Sequence, residues 1–331
     1  MDQRAVPQKF YRNPIALLCV LVLATAVVLG ALHGRAVIDG LRNPRAISPP
    51  ATAAKDPKVV SLVPAATDLL LAMNCGDHLV AVSNYESDPR VAHLPRVGDY
   101  QTTDWEKIVG LHPRVIITQY TPDRIPPGFV SRANAIGAQD LNIQPDTLED
   151  KTAPGEPRHS IYGAIEALGN ACNEPVKAAA AEAFIRARID RVRHRTAGEP
   201  PVRALIVIGG DGTMVAGRDT YLTELLQAAG GINVAGEFTA RYPMLDREQV
   251  LALKPDVVLQ LMPSASPQVL EQARRFWASL PEVPAVKNGR VHQLTASYVL
   301  LPGFHIGDIA EQFANALHPQ TVPGPTTTPG A

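Results

Sequence analysis

Residues Tyr100–Ile117 read YQTTDWEKIVGLHPRVII, and Tyr242–Leu259 read YPMLDREQVLALKPDVVL. Both follow one pattern, Tyr-x-x-x-Asp-x-Glu-x-[IV]-[VL]-x-Leu-x-Pro-x-Val-[IV]-[IL]. The Asp is a helix N-cap signal. The Glu two places on falls in the first turn, where the helix dipole favours an anion, and the Pro stops the helix ahead of an apolar run that reads as a buried strand. A second echo sets Thr67-Asp68-Leu69-Leu70-x-Ala72 against Thr223-Glu224-Leu225-Leu226-x-Ala228. One helix-to-strand design used twice, each time entered by a tyrosine, predicts two similar α/β lobes with a ligand cleft between them.

Outward from these units, short apolar runs alternate with helical segments, the pattern of α/β architecture. Strands are expected at Val59 to Val63, Leu79 to Val82, Val115 to Thr118 and Gln139 to Ile143 in the first half. In the second they are expected at Ala204 to Ile208, Val257 to Leu261 and Val291 to Leu294. Between the halves, Ile161 to Arg195 reads as one long helical stretch. Its part from Glu174 is alanine-rich, opens with a proline at a helix-start position and ends in arginines that complement the dipole. The fold expected is therefore two α/β lobes joined by a long backbone helix, a stiff connection that permits only modest closure.

The chain has 331 residues, 31 basic against 32 acidic, with 46% hydrophobic and 19% charged. That length suits about two compact units. The balanced charge offers no general field for nucleic acid, and no basic run with interleaved aromatics occurs. After Arg4, Lys9 and Arg12, the segment Pro14 to Leu32 carries no charge and is long enough to cross a bilayer. It reads either as an uncleaved anchor or as a signal peptide cut after Ala24-Thr25-Ala26; the apolar run beyond that site favours the anchor. Cys19 lies near the start of the run, where a lipoprotein cysteine would follow it, so a lipid anchor is not expected. The division expected is 1–32 cytoplasmic stub and membrane anchor or signal peptide, 33–57 linker, 58–150 first lobe, 151–200 polar insert and connecting helices, 201–318 second lobe and 319–331 disordered tail. Everything after Leu32 is then exported, which permits a disulfide between Cys75 and Cys172. Nothing in the sequence brings them together, and two buried thiols are the expected state.

The stretch Val59 to Tyr85 (VVSLVPAATDLLLAMNCGDHLVAVSNY) opens the first lobe, and LPRVGDYQTTDWEKIVGLHPRVII, VAGRDTYLTELLQAAGGINVA and YPMLDREQVLALKPDVVLQL follow in order. Together they resemble the helical-backbone (class III) periplasmic substrate-binding proteins of ABC importers that carry cobalamin, haem and ferric siderophores. The likeness runs from Val59 to Leu317, and the opening stretch looks most like the cobalamin-binding branch. Two departures are the polar stretch Lys151 to His159 and Asp88, where an aromatic residue often precedes the proline. The resemblance implies capture of a bulky chelate or corrinoid in the interlobe cleft and delivery to a membrane permease with its ATPase. It places the permease-docking carboxylates on Glu106 and Glu248. It also matches Tyr85 to the family's first binding loop. No resident cofactor and no homo-oligomer are expected.

Tyr100 and Tyr242 are candidate cleft residues because a ring gives flat apolar area and one hydroxyl. Pro64, Ala65 and Thr67 lie between a strand and its helix, where free N–H groups could meet a ligand acceptor. Arg218 could meet an anionic ligand; Tyr298 and Tyr120 are weaker candidates, and His305 is expected to cap or pack. The nine histidines show no metal-ligand spacing, and no nucleophile elbow, dinucleotide fingerprint or Walker loop occurs. Gly209 to Thr213 resembles the GGDGT motif of diacylglycerol and NAD kinases, but no Gly-Thr-x-Asn-Asp element follows it. The segment is read as a flexible connection at the cleft edge, which leaves the kinase a minor alternative and a membrane-tethered sensor or scaffold the main one.

Overall fold

The computed structural model describes residues 57–99, 101–121, 124–149 and 159–319. The N-terminal apolar segment and linker, Tyr100, most of the polar insert and the C-terminal tail lie outside them.

The first lobe runs β1 (Val59–Ser61), α1 (Pro64–Ala72), β2 (Leu79–Val82), α2 (Trp105–Leu111), β3 (Val115–Thr118), α3 (Phe129–Ala135) and β4 (Gln139–Asn142). Its sheet is wholly parallel with order β2-β1-β3-β4. Two helices, α4 (Ile161–Ala171) and α5 (Pro175–Thr196), lead to the second lobe. There β5 (Val202–Ile208), β6 (Met214–Val215), α6 (Tyr221–Ala228), β7 (Gly231–Asn233), α7 (Arg247–Leu253), β8 (Val257–Leu261), α8 (Pro267–Ala278), α9 (Pro284–Lys287), β9 (Val291–Leu294) and α10 (Ile306–Leu317) follow. Strand β5 pairs with β8, and β8 with β9, in parallel; the short β6 and β7 share the other edge of β5, the former antiparallel.

The expected helical stretch divides at Cys172–Glu174. Asn173 takes a left-handed φ of 58° and Pro175 opens α5, so the first helix ends before the second begins. The α5 helix then works as a backbone through one apolar stripe: Ala178, Ala181, Ile185, Ile189 and Val192 are buried at intervals of three and four. Around that stripe a single core runs through Val59 and Ile117 of the first lobe, Ile165 and Leu168 of α4, and Ile206, Leu259 and Phe313 of the second. Alternate strand residues face away from it. Val60 and Ile116 pack with Phe129, while Leu205 and Val258 pack with Trp277, so both faces of each sheet are covered.

The repeated units fold alike. Asp104 caps α2 by accepting from the Lys107 N–H at 3.1 Å, and Asp246 caps α7 by accepting from the Gln249 N–H at 2.8 Å. Each helix ends on a left-handed residue, His112 (φ 52°) and Lys254 (φ 47°), directly before its proline and strand.

The Gly-Gly-Asp-Gly-Thr segment is the turn between β5 and β6. Gly209 has φ 83°, and its carbonyl accepts from Gln260 Nε2 at 2.9 Å; Gln260 Oε1 in turn accepts from Trp277 Nε1 at 3.0 Å. The buried Gln260 amide thus has both ends satisfied. Gly212 has φ 76°, and a Cβ there would lie 2.0 Å from the Phe276 ring. These glycines serve chain reversal and close packing. Gly212→Ala should therefore cost about 1–2 kcal/mol, seen as a lower urea midpoint at unchanged slope.

Candidate functional site

In each sheet the chain reverses its direction of winding beside the first strand, at β1/β3 and at β5/β8. Open α/β sheets bind ligands beyond the carboxyl ends of strands at such points. Here both points open onto one cleft. From the first lobe come Val63, Pro64 and Ala65 after β1 and Gln119 after β3. Pro145 and Asp146 lie on the crossing segment, and the second lobe adds Ile208, Met214, Tyr221, Tyr242 and Leu300–Pro302. They enclose a cavity of about 390 Å³. A second cavity of about 280 Å³ shares Val63, Pro64 and Gln119 with it and adds Tyr85, Asp99 and Gln101. A hollow of about 280 Å³ between β4 and α4 has no aromatic lining and lies within the first lobe alone.

Among the described residues no Lys, Arg or His lines either cleft cavity, whereas two carboxylates do. Asp146 is paired with Arg241, and its backbone carbonyl accepts from the Tyr221 N–H at 2.6 Å, which ties the crossing segment to the second lobe. Asp99 is pushed up by burial, but the N–H groups of Thr102 and Gln101, the Thr102 hydroxyl and the Tyr85 side chain outweigh this and hold it below the usual carboxylate range. Burial, then the Asp146 carboxylate, push the Tyr242 phenol up to about 12. Tyr221 is pushed up by burial and then by Tyr242. The two phenols stay neutral at physiological pH; Tyr242 stands part-exposed at the cavity wall, whereas Tyr221 borders it from a buried position.

Of the residues singled out from the sequence, Pro64, Ala65, Tyr85 and Tyr242 line this space. Tyr100 lies outside the described residues. Thr67 requires correction: it is buried, its hydroxyl donates to Ser61 Oγ at 2.9 Å, and its N–H already bonds the Val63 carbonyl at 3.1 Å. Arg218 is half-exposed beside Asp219 at 3.8 Å and lines neither cavity. Tyr298 also lies apart, stacked on His305 with ring centroids 4.5 Å apart and accepting from Gln312 Nε2 at 3.1 Å. Tyr120 is turned toward β4, where its hydroxyl donates to Asp140. Asp146, Met214, Tyr221 and Gln119 were not foreseen. Tyr221 had a readable signal, a tyrosine opening the echoed helix, but the Asp146–Arg241 pair spans residues too distant for any local pattern.

Glu106 and Glu248 stand exposed in the first turns of α2 and α7. Neither forms an ion pair among the described residues. No group of three or more His, Cys, Asp or Glu among them could hold a metal ion.

Two winding-reversal points facing one cleft beside the backbone helix α5 define a binding architecture. The chain belongs to the periplasmic binding protein family, whose model matches residues 59–298. Among its relatives is the vitamin B12-binding protein of Vibrio cholerae, 28% identical over 261 residues that cover 78% of this chain and 88% of that protein. The vitamin B12-binding protein of Yersinia pestis is 26% identical over 238 residues, 72% of this chain and 79% of the relative. Among solved structures, the periplasmic vitamin B12 binding protein BtuF of Vibrio cholerae superposes with a TM-score of 0.65 at 27% identity, covering 80% of this chain and 98% of that one. The periplasmic haem binding protein HutB of Vibrio cholerae shares the fold, with a TM-score of 0.63 at 21% identity, over 80% of this chain and all (100%) of that one.

Proposed function

We propose that this chain is the substrate-binding component of an ABC import system and that it captures a corrinoid of the cobalamin type in the interlobe cleft. The observation that carries the ligand class is the cleft lining: tyrosine rings, Met214 and aliphatic residues, two carboxylates, and no cation among the described residues. A corrinoid, whose rim is mostly neutral amides, suits such a wall. The two propionates of haem, or an anionic ferric siderophore, would meet the Asp99 carboxylate and no cation among the described lining residues, Asp146 being already paired with Arg241. The vitamin B12-binding relatives support the same choice.

Capture needs no chemical step. Pro64, Ala65, Tyr85, Tyr221 and Tyr242 supply apolar contact and a few hydroxyl groups, and Glu106 and Glu248 offer the permease one carboxylate per lobe. The family implies a periplasmic location. Tethering there by the apolar segment Pro14 to Leu32 is part of this proposal; among the described residues no helix is long and apolar enough to cross a membrane.

Calorimetric titration of the chain with cobalamin, cobinamide, haem and a ferric siderophore tests the ligand class. Tight binding of the corrinoids alone is expected; haem or siderophore binding without corrinoid binding refutes the reading. Tyr242→Ala should weaken corrinoid binding about 10-fold, the scale of one lost aromatic contact, and an unchanged Kd would remove Tyr242 from the site.

A further inference from the structure

Cys75 and Cys172 are 97 positions apart in sequence, yet both lie in one buried core cluster. Each sits where a helix of the first lobe's core ends. Cys75 follows α1, with its N–H on the Leu70 carbonyl at 2.8 Å, and Cys172 closes α4, with its N–H on the Leu168 carbonyl at 3.1 Å. A left-handed asparagine adjoins each, Asn74 (φ 53°) before Cys75 and Asn173 (φ 58°) after Cys172, so both helix ends are fixed in backbone conformation. Lys177 Nζ donates to the Asn74 carbonyl at 3.2 Å, holding the two ends together. Both side chains are thiols in this structure, each residue only 1% exposed; they belong to one buried core cluster, and the Cys75 thiol donates to the Met73 carbonyl at 3.6 Å.

We infer that Cys75 and Cys172 are a redox modification site, closed to a disulfide in the exported protein, which staples the end of α1 to the start of the helical backbone. This rests on the extracytoplasmic reading of the chain, since oxidising compartments form and keep such bonds. The two thiols lose two electrons and two protons as the S–S bond forms; an external disulfide, that of an oxidoreductase or of glutathione, takes them up and leaves as two thiols. Burial raises both thiols above their usual range, and the folded pair is shut off from solvent. Closure therefore belongs to folding, before the core seals, and the folded reduced form should resist oxidation.

The bond would close a long loop, the case in which a cross-link most restricts the unfolded chain. Reduction should then lower Tm by roughly 5–15 °C. The test uses the full chain carrying Cys19→Ser, so that only this pair remains. Reduced, unfolded protein is refolded in a glutathione redox buffer, and in parallel protein is recovered from an extracytoplasmic fraction; both are alkylated under denaturing conditions and peptide-mapped. Expected are no alkylation, a mass about 2 Da lower than the reduced chain (two hydrogens lost) and one peptide pair containing Cys75 and Cys172. Two alkylated thiols after refolding overturn the inference at the geometry. Closure on refolding with free thiols in the recovered protein overturns it at the compartment, which leaves the geometry intact.

Discussion

Reversing charge at both carboxylates proposed to dock the permease, Glu106→Lys with Glu248→Lys, is expected to lower ligand uptake about 100-fold or more while the Kd for ligand stays within about 2-fold. The reasoning starts from exposure. Each Glu stands in the first turn of a repeated helix, unpaired among the described residues, one on each lobe. Charges so placed set encounter rate and register with an oppositely charged partner, and reversing one converts an attraction into a repulsion. Two reversals that together cost about 3 kcal/mol or more give the 100-fold loss. A single reversal should fall between. Each Glu also complements its helix dipole, so the lysines should cost some stability, about 0.3–1 kcal/mol apiece. This separates the roles: if the carboxylates serve the dipole alone, Tm falls while uptake by the folded protein is unchanged. Uptake of labelled corrinoid by cells, set beside calorimetric Kd values for the purified variants, decides between them.

Much of the fold was legible because its signals are local and occur twice. The seven strands expected from apolar runs all form, and the caps at Asp104 and Asp246 occur where the repeated pattern puts them. The two strands not foreseen, β6 and β7, have two and three residues and are held by pairing to β5 rather than by any periodicity of their own. The break at Asn173 was masked by good helix formers on both sides, although Pro175 marked the restart. The site was less legible than the fold. A tyrosine in a loop after a strand can point into a cleft or away from it; Tyr242 lines the cleft, whereas Tyr120 turns to Asp140. Thr67 illustrates the same limit: the N-terminus of α1 does border the cavity through Pro64 and Ala65, but two residues further along the helix the Thr67 side chain is rotated onto Ser61 and into the core. Contacts between lobes, such as Asp146 with Arg241, depend on residues 95 positions apart, and sequence periodicity carries no information on them.

Asp68 makes another such contact, and replacing it should produce opposite results according to what replaces it. The residue lies on α1 in the first lobe, and its Oδ2 accepts from the Phe304 N–H at 2.7 Å, just ahead of α10 in the second. Its Oδ1 is 3.9 Å from His305 Nε2; His305 Nδ1 lies 2.9 Å from Asp308, which Arg188 of α5 also holds at 2.6 Å. One carboxylate thereby joins the first lobe to the second beside the backbone helix. Burial raises the Asp68 pKa, and the Phe304 N–H, His305 and Arg90 oppose that rise without cancelling it. Between the unfolded value of 3.8 and the higher folded one, the folded chain holds the extra proton, so this group's contribution to stability falls as pH rises through that window. Asp68→Asn keeps an acceptor for the Phe304 N–H and removes the buried charge. It should be at least as stable as the parent at pH 7 and should lose this group's share of the pH dependence. Asp68→Ala instead leaves the Phe304 N–H without its acceptor and opens a void between the lobes, at a cost of about 2–3 kcal/mol, or roughly 5–10 °C in Tm. Thermal unfolding of both variants from pH 4 to pH 8 gives the comparison. If Asn proves as damaging as Ala, the carboxylate's contact with His305 holds the lobes rather than the backbone hydrogen bond. If both variants match the parent, Asp68 does not join the lobes, and the shared core around α5 together with the Asp146 contacts to Arg241 and Tyr221 holds them.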